Sequence, residues 1–321
     1  MVYIGPFEHE RDAISAPTKA ASRMLHKSAL GELDKLKDWI TDSSGMRLMN
    51  VPTANIAADA PVLLREREKD VAIVVLNRPD VRNSLSEAML IALSSALGDI
   101  AADNTVRAVV LAANGPAFCA GHDLKELTSR RSDADGGRAY FHHIMTTCSD
   151  MMQQIVHLPQ PIIAAVQGVA TAAGCQLVAS CDLAVASRNA KFATPGVDIG
   201  LFCSTPMVAL SRNVARKHSM EMLLTGDAAS ADDAYRIGLI NRVVDSGAER
   251  EEALVFARKI AEKSSHIVKI GKEGFYRQAE MNLADAYRYA SEVMVENLMA
   301  RDAEEGLKAF IDKREPKWED R

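Results

Sequence analysis

GVATAAGCQLVASCD, residues 168–182, decides how this chain is read. It closes a run in which no Asp, Glu, Lys or Arg occurs between Asp150 and Asp182. Backbone packed this closely with small residues brings a peptide N–H near a ligand atom. Gln176 is the one long polar side chain in its middle. Pro159, Gln160, Pro161, Gln167 and Gln176 interrupt the run, so it reads as a buried strand, turn and helix rather than a membrane span.

The same grammar extends in both directions. Residues 161–166 read as a buried strand, 173–180 as a helix and 183–186 as a strand. Upstream, 62–67 and 71–76 are β-rich runs around a polar turn, and the Asn77-Arg78-Pro79-Asp80 stretch ends the second. Ser84 or Ser86 then caps a helix reaching Ala102. The apolar run 106–112 predicts a strand buried on both faces, followed by the loop NGPAFCAGHD and a helix over 138–157. Strands thus alternate with helices in β-β-α units, which implies an α/β fold with crossover connections. Beyond Ser187 the spacing turns helical, over 206–215, 217–224, 230–237, 248–264, 266–280 and 283–299, with at most a short strand at 241–244. The expected organisation is an extension at 1–60, an α/β core at 61–250 and a helical segment at 251–321. Within the extension, 30–40 reads either as a docking helix or as part of a poorly ordered stretch.

Composition narrows the function classes. The 321 residues are 48% hydrophobic and 25% charged, an ordinary globular balance, and the net charge of −5 does not favour nucleic acid or anionic membranes. Five cysteines without a CxxC argue against a disulfide framework or a zinc site, and for a reducing compartment. No GxGxxG after a strand, GxxxxGK[ST], HExxH or GxSxG is present, so no metal centre and no nucleotide loop is expected. Glu8, Glu10, Arg11 and Asp12 stand where a secretory h-region would begin. Residues 13–31 weakly resemble a mitochondrial presequence, against which those acids count. A bacterial cytoplasm is therefore the expected location and the mitochondrial matrix the alternative.

Two small-residue loops, 117–124 and 168–176, each follow a buried strand and open a helix. Helix N-termini carry free N–H groups and a partial positive charge. Two such ends aimed at one point form an oxyanion hole. The alternative is a pair of tight packing turns.

Here the residues become recognisable. AFCAGHDLKEL, PIIAAVQGVATAAGCQLVASCDLAVAS and KFATPGVDIGL resemble the crotonase (enoyl-CoA hydratase/isomerase) superfamily. NRPDVRNSLS, TGDAASADDAYRIGLINRVV and EGLKAFIDKR extend the resemblance from Val62 to Trp318. The combination of AGHDLKEL and FATPGVDIGLFCSTP points to one group within it. The resemblance implies a ClpP-like spiral of β-β-α units with a helical C-terminal segment, assembled as a homotrimer or a dimer of trimers. It implies a coenzyme A thioester as substrate or ligand and no separate cofactor. The N–H groups of His122 and Ala173 would form the oxyanion hole. Ala120, His122, Asp123 and Leu124 would line the CoA with Val81 and Arg82 opposite, Arg82 pairing with a phosphate. Phe310 and Lys313 would approach the CoA of the same or a neighbouring subunit, unless Lys313 is only a solvated charge.

The departures from the family carry equal weight. Its hydratases use two glutamates to position and deprotonate water, and the matching positions are Gln176 and Gly196. A carboxamide has no accessible basic form, and glycine has no side chain. Losing a proton carrier slows hydration by roughly 10²–10⁴. Asp198, Cys203 and Ser204 are the remaining candidates on the later segment. In a strand or a turn Asp198 would point the same way as Gly196 by alternation; the alternative is that it caps or anchors the loop. Cys203, between apolar neighbours, is by default an inert buried thiol. Three readings follow: an acyl-CoA enzyme with an atypical site, a non-catalytic acyl-CoA-binding protein, or a thioesterase or acyl transferase using Cys203 or Ser204.

Overall fold

The computed structural model describes residues 60–321, so the helix expected over 30–40 lies outside the described residues. The strands are β1 (Leu63–Glu68), β2 (Val71–Leu76), β3 (Ala108–Ala113), β4 (Ala117–Cys119), β5 (Ile162–Val166), β6 (Val169–Thr171), β7 (Leu183–Ser187), β8 (Lys191–Ala193), β9 (Ala229–Ser230) and β10 (Arg242–Val244). The helices are α1 (Glu87–Ala102), α2 (Leu124–Ser129), α3 (Arg138–His157), α4 (Ala173–Ser180), α5 (Pro206–Asn213), α6 (Arg216–Thr225) and α7 (Ala231–Arg236). Four more close the chain: α8 (Glu249–Ala261), α9 (Ser265–Ala279), α10 (Leu283–Met299) and α11 (Arg301–Ile311).

The strands sort into two sheets. The larger has the order β1-β2-β3-β5-β7-β10, parallel apart from the β1–β2 hairpin. The smaller has the order β4-β6-β8-β9, its first three strands parallel. The chain therefore enters the large sheet, passes through a short strand of the small sheet, and leaves in a helix: β3-β4-α2, then β5-β6-α4. This is the β-β-α repetition, and it puts β4 and β6 inside segments that the sequence presents as loops.

Period-2 alternation divides the large sheet's side chains between two cores. Val71, Ile73 and Val75 of β2, with Val110, Ile163 and Val185, pack against Ala253, Leu254 and Ala257 of α8. Ala72, Val74 and Leu76 face the other way, with Leu111, Ile162 and Val166, onto Leu93 and Leu97 of α1 and Met151 and Ile155 of α3. Both faces are covered, which explains the unbroken apolar strands. The helix α8, which spans residues 250 and 251, thus belongs to the packing of the sheet.

Ser86 is the cap of α1, its side chain accepting from the Met89 N–H at 3.2 Å; Ser84 instead bonds Asp123. At the other end the tail folds back. Trp318 Nε1 donates to Glu262 O at 2.9 Å, and the buried Asp302 carboxylate accepts the N–H groups of Glu319 and Asp320. α9 is pinned by a largely buried ion pair: Lys272 Nζ sits 2.7 Å from Asp182 Oδ2, while Tyr276 OH donates to Oδ1 at 3.0 Å. α10 buries no residue, and Leu283, Met299 and Phe310 are 76%, 79% and 84% exposed.

Candidate functional site

The small sheet builds the site. Its three parallel strands end side by side, and each carboxyl end leads into a loop: 120–123 after β4, 172–173 after β6 and 194–204 after β8. Ligand sites in parallel sheets gather at such ends.

The first two loops touch. Gly121 has φ +85°, and a Cβ added there would lie 2.9 Å from Ala172 Cβ, 3.0 Å from Thr171 O and 3.2 Å from Ala173 N. Gly174 is pressed onto Cys119 O so closely that a side chain has no room. Only glycine permits either approach. Ala172 adopts φ +52°, a strained value for a residue with a Cβ, and its N–H donates to Ala193 O at 2.9 Å. This kink leaves Ala173 as the first residue of α4, where no intrahelical acceptor exists for its N–H. On the facing loop, Leu85 N–H donates to Gly121 O and Asp123 N–H to Leu85 O, which bracket His122 and leave its own N–H out of the ladder. Among the described residues, neither the His122 nor the Ala173 N–H meets a protein acceptor.

A polar scaffold holds the first loop. Asn83, fully buried at φ +53°, donates to Asn114 O and Ala117 O, both at 2.8 Å, and accepts the Arg78 N–H at 2.8 Å. Ala120 N–H donates to Arg82 O at 3.0 Å, joining the two loops that the resemblance would place along CoA. Asp123 caps α2, pairs with Arg78 at 3.2 Å and accepts the Ser84 hydroxyl at 3.0 Å. Partial burial pushes its pKa up, but the Ser84 hydroxyl, the Glu126 N–H and Arg78 outweigh this and hold it below the usual range. Asp123 is thus engaged with protein groups, while Val81, Arg82 and Leu124 remain exposed beside it.

Gln176 lies on the first turn of α4, its N–H bonded to Ala172 O at 3.1 Å, and is only 5% exposed. It lines a cavity of about 1000 Å³ bounded by α3, α4, α5 and α9, together with Met152, Ser180, Val208, Lys272 and Tyr276. Its Oε1 has no partner. The same is true of both His122 ring nitrogens, Thr171 Oγ1 and Thr194 Oγ1. Burial pushes the His122 pKa below its ordinary value, opposed by a hydrogen bond of the ring to the Leu85 backbone.

The third loop departs from expectation. Residues 195–199 form a 3-10 turn rather than a strand, so alternation does not direct Asp198 along with Gly196. The exposed Asp198 carboxylate instead packs over Gly226 at the end of α6: a Cβ on Gly226 would lie 2.9 Å from its Oδ2. Gly196 is buried, and a Cβ there would meet Cys203 Sγ at 3.0 Å, Leu201 O at 3.1 Å and Cys203 N at 3.2 Å. The Cys203 thiol therefore fills the space beside Gly196. Burial raises its pKa, opposed by the Gly196 N–H. It also neighbours α4: burial, and then Cys203, push the Cys175 thiol up to about 12. Ser204 is exposed and its hydroxyl bonds Phe202 O at 3.3 Å. Phe310 and Lys313 stand exposed at the end of α11.

Sequence reasoning named His122, Ala173 and Gln176; the loops of the first two touch, while Gln176 lines a cavity that includes neither of them. It missed the unpartnered threonines, the Arg78–Asn83–Asp123 scaffold and the Lys272–Asp182 anchor. Thr171 and Thr194 lie inside VATAAGC and FATPGVD, but nothing in those letters signals a buried hydroxyl without a partner.

The enoyl-CoA hydratase/isomerase family matches residues 66–321. The chain is similar to rat enoyl-CoA hydratase domain-containing protein 3, mitochondrial, at 49% identity over 80% of this chain and 85% of that one. Among solved structures it is similar to an enoyl-CoA hydratase from Mycobacterium smegmatis, at 52% identity and a TM-score of 0.77, covering 81% of this chain and 99% of that one. The human enoyl-CoA hydratase domain-containing protein 3 structure gives 47% identity and a TM-score of 0.76, over 80% and 100%. The crotonase fold follows, and the group to which AGHDLKEL and FATPGVDIGLFCSTP pointed is among the relatives.

Proposed function

From the premise that this chain belongs to the enoyl-CoA hydratase/isomerase family, we propose that it binds an acyl-CoA and holds the thioester oxygen between the N–H groups of His122 and Ala173. The observation that carries this reading is the approach of Gly121 to Ala173 N, which sets two unpaired N–H groups at the meeting of two loops. Preorganised donors of this kind stabilise a developing enolate or oxyanion without reorganising. The CoA moiety runs along Ala120, His122 and Leu124 with Val81 and Arg82 opposite. Asp123 holds that loop through Arg78 and Ser84 rather than touching the ligand. Coenzyme A enters as part of the substrate, and no further cofactor or metal is assigned.

Efficient hydration does not fit these residues. Gln176 supplies no base, and the side-chain space at Gly196 is taken by Cys203. The reaction is one that needs the thioester oxygen stabilised and does not depend on two carboxylates. A nucleophilic role for Cys203 finds no support, because burial raises its pKa and keeps the thiol protonated. Ser204 has no base beside it, its hydroxyl bonding a carbonyl. A second reading, a non-catalytic acyl-CoA-binding protein, is favoured by the same filled space at Gly196.

The apolar residues left exposed on α10 and α11 support a homotrimer or dimer of trimers, in which Phe310 and Lys313 approach the CoA of a neighbouring subunit. The relatives named mitochondrial favour the matrix, the alternative location, while the mycobacterial neighbour fits a bacterial cytoplasm. Both are reducing, in keeping with five free, buried cysteines.

Titration calorimetry with butyryl-CoA and crotonyl-CoA tests the assignment, alongside a hydration assay on crotonyl-CoA. Binding with little or no hydration is the expected result. No binding of either thioester refutes the site. Hydration at the rate of a competent hydratase refutes the argument from Gln176 and Gly196.

A further inference from the structure

The helices α9, α10 and α11 are joined to the body of the protein by little buried packing. α9 and α10 bury no whole residue, and α11 buries only Asp302 and Ala309. α8, by contrast, puts Ala253, Leu254 and Ala257 into the core against the large sheet. The firm attachment therefore stops at the α8–α9 elbow, residues 262–264. Beyond it, among the described residues, two fastenings stand out. One is the Lys272–Asp182 pair with the Tyr276 hydroxyl, on α9. The other is the irregular stretch 315–321. Its Pro316, Trp318 and Asp320 are half-buried and alternate with exposed Lys317, Glu319 and Arg321, so every second side chain faces inward. The exposed Arg212–Glu280 pair contributes little beside these.

The inward groups of this stretch close helix ends. Trp318 Nε1 donates to Glu262 O at 2.9 Å, at the carboxyl end of α8. Its ring lies against Gly306 of α11, where an added Cβ would be 3.3 Å away. Asp320, in left-handed backbone at φ +57°, accepts the Ser265 N–H, the first of α9, at 2.8 Å and pairs with Arg107. Arg107 immediately precedes β3 and also donates to Ala261 O and Lys263 O, at 3.3 and 2.8 Å. Asp302, on the first turn of α11 and 1% exposed, uses both oxygens to accept the N–H groups of Glu319 and Asp320, at 2.7 and 2.9 Å. These helix-end groups have no partner within their own helices, so the stretch couples α8, α9, α11 and the sheet only while it is docked. α9 in turn walls the cavity onto which Gln176 opens, through Lys272 and Tyr276. We propose that α9–α11 is a flap that swings from the core as a unit about residues 262–264, and that 315–321 is the strap that latches it shut over that cavity. The device does not depend on what the cavity holds.

Amide hydrogen exchange on the whole chain, at fixed protein concentration and read by mass spectrometry, tests this. In the unmodified protein α9 and α11 should share one degree of protection, below that of β2 and β3. Trp318→Ala removes a bond to α8 and the ring that rests on α11. It should speed exchange in α9 and α11 together by on the order of tenfold, the effect of losing one such hydrogen bond, while α8, β2 and β3 stay unchanged. Asp302→Asn, nearly isosteric, should give the same pattern at smaller size, and Lys272→Met, which loosens the other fastening, should reach the same helices. Anilinonaphthalenesulfonate fluorescence should rise in each variant as the apolar wall of the cavity is uncovered. Protection of α9 and α11 equal to that of β3 in the unmodified protein overturns the inference. So does faster exchange confined to α11, which is local fraying, or spread equally over β2 and β3, which is loss of global stability. Faster exchange with no rise in fluorescence overturns the latch over the cavity.

Discussion

Restoring a side chain at Gly196 is a direct measure of how this site differs from a two-glutamate hydratase. The backbone there lies outside the left-handed region, so an alanine is not excluded by φ. The obstacle is steric. The new Cβ meets Cys203 Sγ, Leu201 O and Cys203 N at 3.0, 3.1 and 3.2 Å, all tighter than ordinary van der Waals contact. Overpacking of this kind costs about 1–3 kcal/mol. Replacing glycine by alanine recovers about 0.4–1 kcal/mol by narrowing the unfolded ensemble. The net expectation for Gly196→Ala is a loss of about 1–2 kcal/mol. Of the three contacts, only the one to sulfur is removable by mutation, because the other two are backbone. In a Cys203→Ala background the penalty for Gly196→Ala should therefore fall by about 0.5–1 kcal/mol, the scale of coupling between touching residues.

Urea unfolding of the four proteins of this cycle, at fixed protein concentration, reads the coupling directly. Additivity within about 0.3 kcal/mol would refute the claim that Cys203 occupies the space beside Gly196. The same geometry fixes an order for attempts to rebuild hydration. Gln176→Glu with Gly196→Glu should give a strained protein with little hydration of crotonyl-CoA, and any gain should need Cys203 shortened as well. A large gain from the two glutamates alone would mean that the loop yields easily, and the packing argument would fall with it.

Gly121→Ala should abolish acyl-CoA binding in calorimetry, because its Cβ strikes Ala172 and Ala173 and its φ is +85°; retained binding would place the ligand elsewhere. His122 sets a pH dependence: its pKa is lowered on folding, so its contribution is complete above the unfolded value of about 6.5 and is lost as pH falls below it. His122→Gln should accordingly flatten the decline in urea midpoint between pH 7.5 and 5.5, and an unchanged slope would count against a buried neutral imidazole. Lys272→Met leaves the Asp182 carboxylate buried without its cation and should cost about 3 kcal/mol, with faster amide exchange in α9. Adding Asp182→Asn should return part of that loss; a neutral Lys272→Met would mean that the pair does not hold the helix.

The sequence was most legible where apolar periodicity and glycine coincide. Unbroken runs such as 106–112 declare strands covered on both sides, because alternation has nothing polar to display. Gly121 and Gly174 were readable because close backbone approach tolerates no other residue. The three-residue strands β4, β6 and β8 were not, since a stretch that short has no period to detect. The geometry of Asp198 stayed open between two readings for a related reason: Pro195 starts a 3-10 turn, and neighbouring letters do not say whether a period of two or three governs the next few residues. Long-range pairs such as Lys272 with Asp182 and Cys203 with Gly196 were invisible, because each is created by the fold alone.

That last pair bears on what kind of site this is. A hydratase that had merely lost its second glutamate would leave a gap next to the glycine, and the neighbouring chain would not need to have changed. Here the gap is filled, by a thiol placed within contact distance of the missing Cβ. Gln176, by contrast, keeps the length of a glutamate and a buried, unpaired oxygen at the edge of the cavity. On the proposed reading, one of the two positions is closed by packing and the other is polar without basicity. On that reading neither residue supplies a base, and neither disturbs the two loops that carry the unpaired His122 and Ala173 N–H groups. The donors depend on Gly121, Gly174 and a strained Ala172, where almost any substitution is disruptive. Donors in place without the two carboxylates are what the proposed reading requires, in which the site holds an acyl thioester rather than adding water to it.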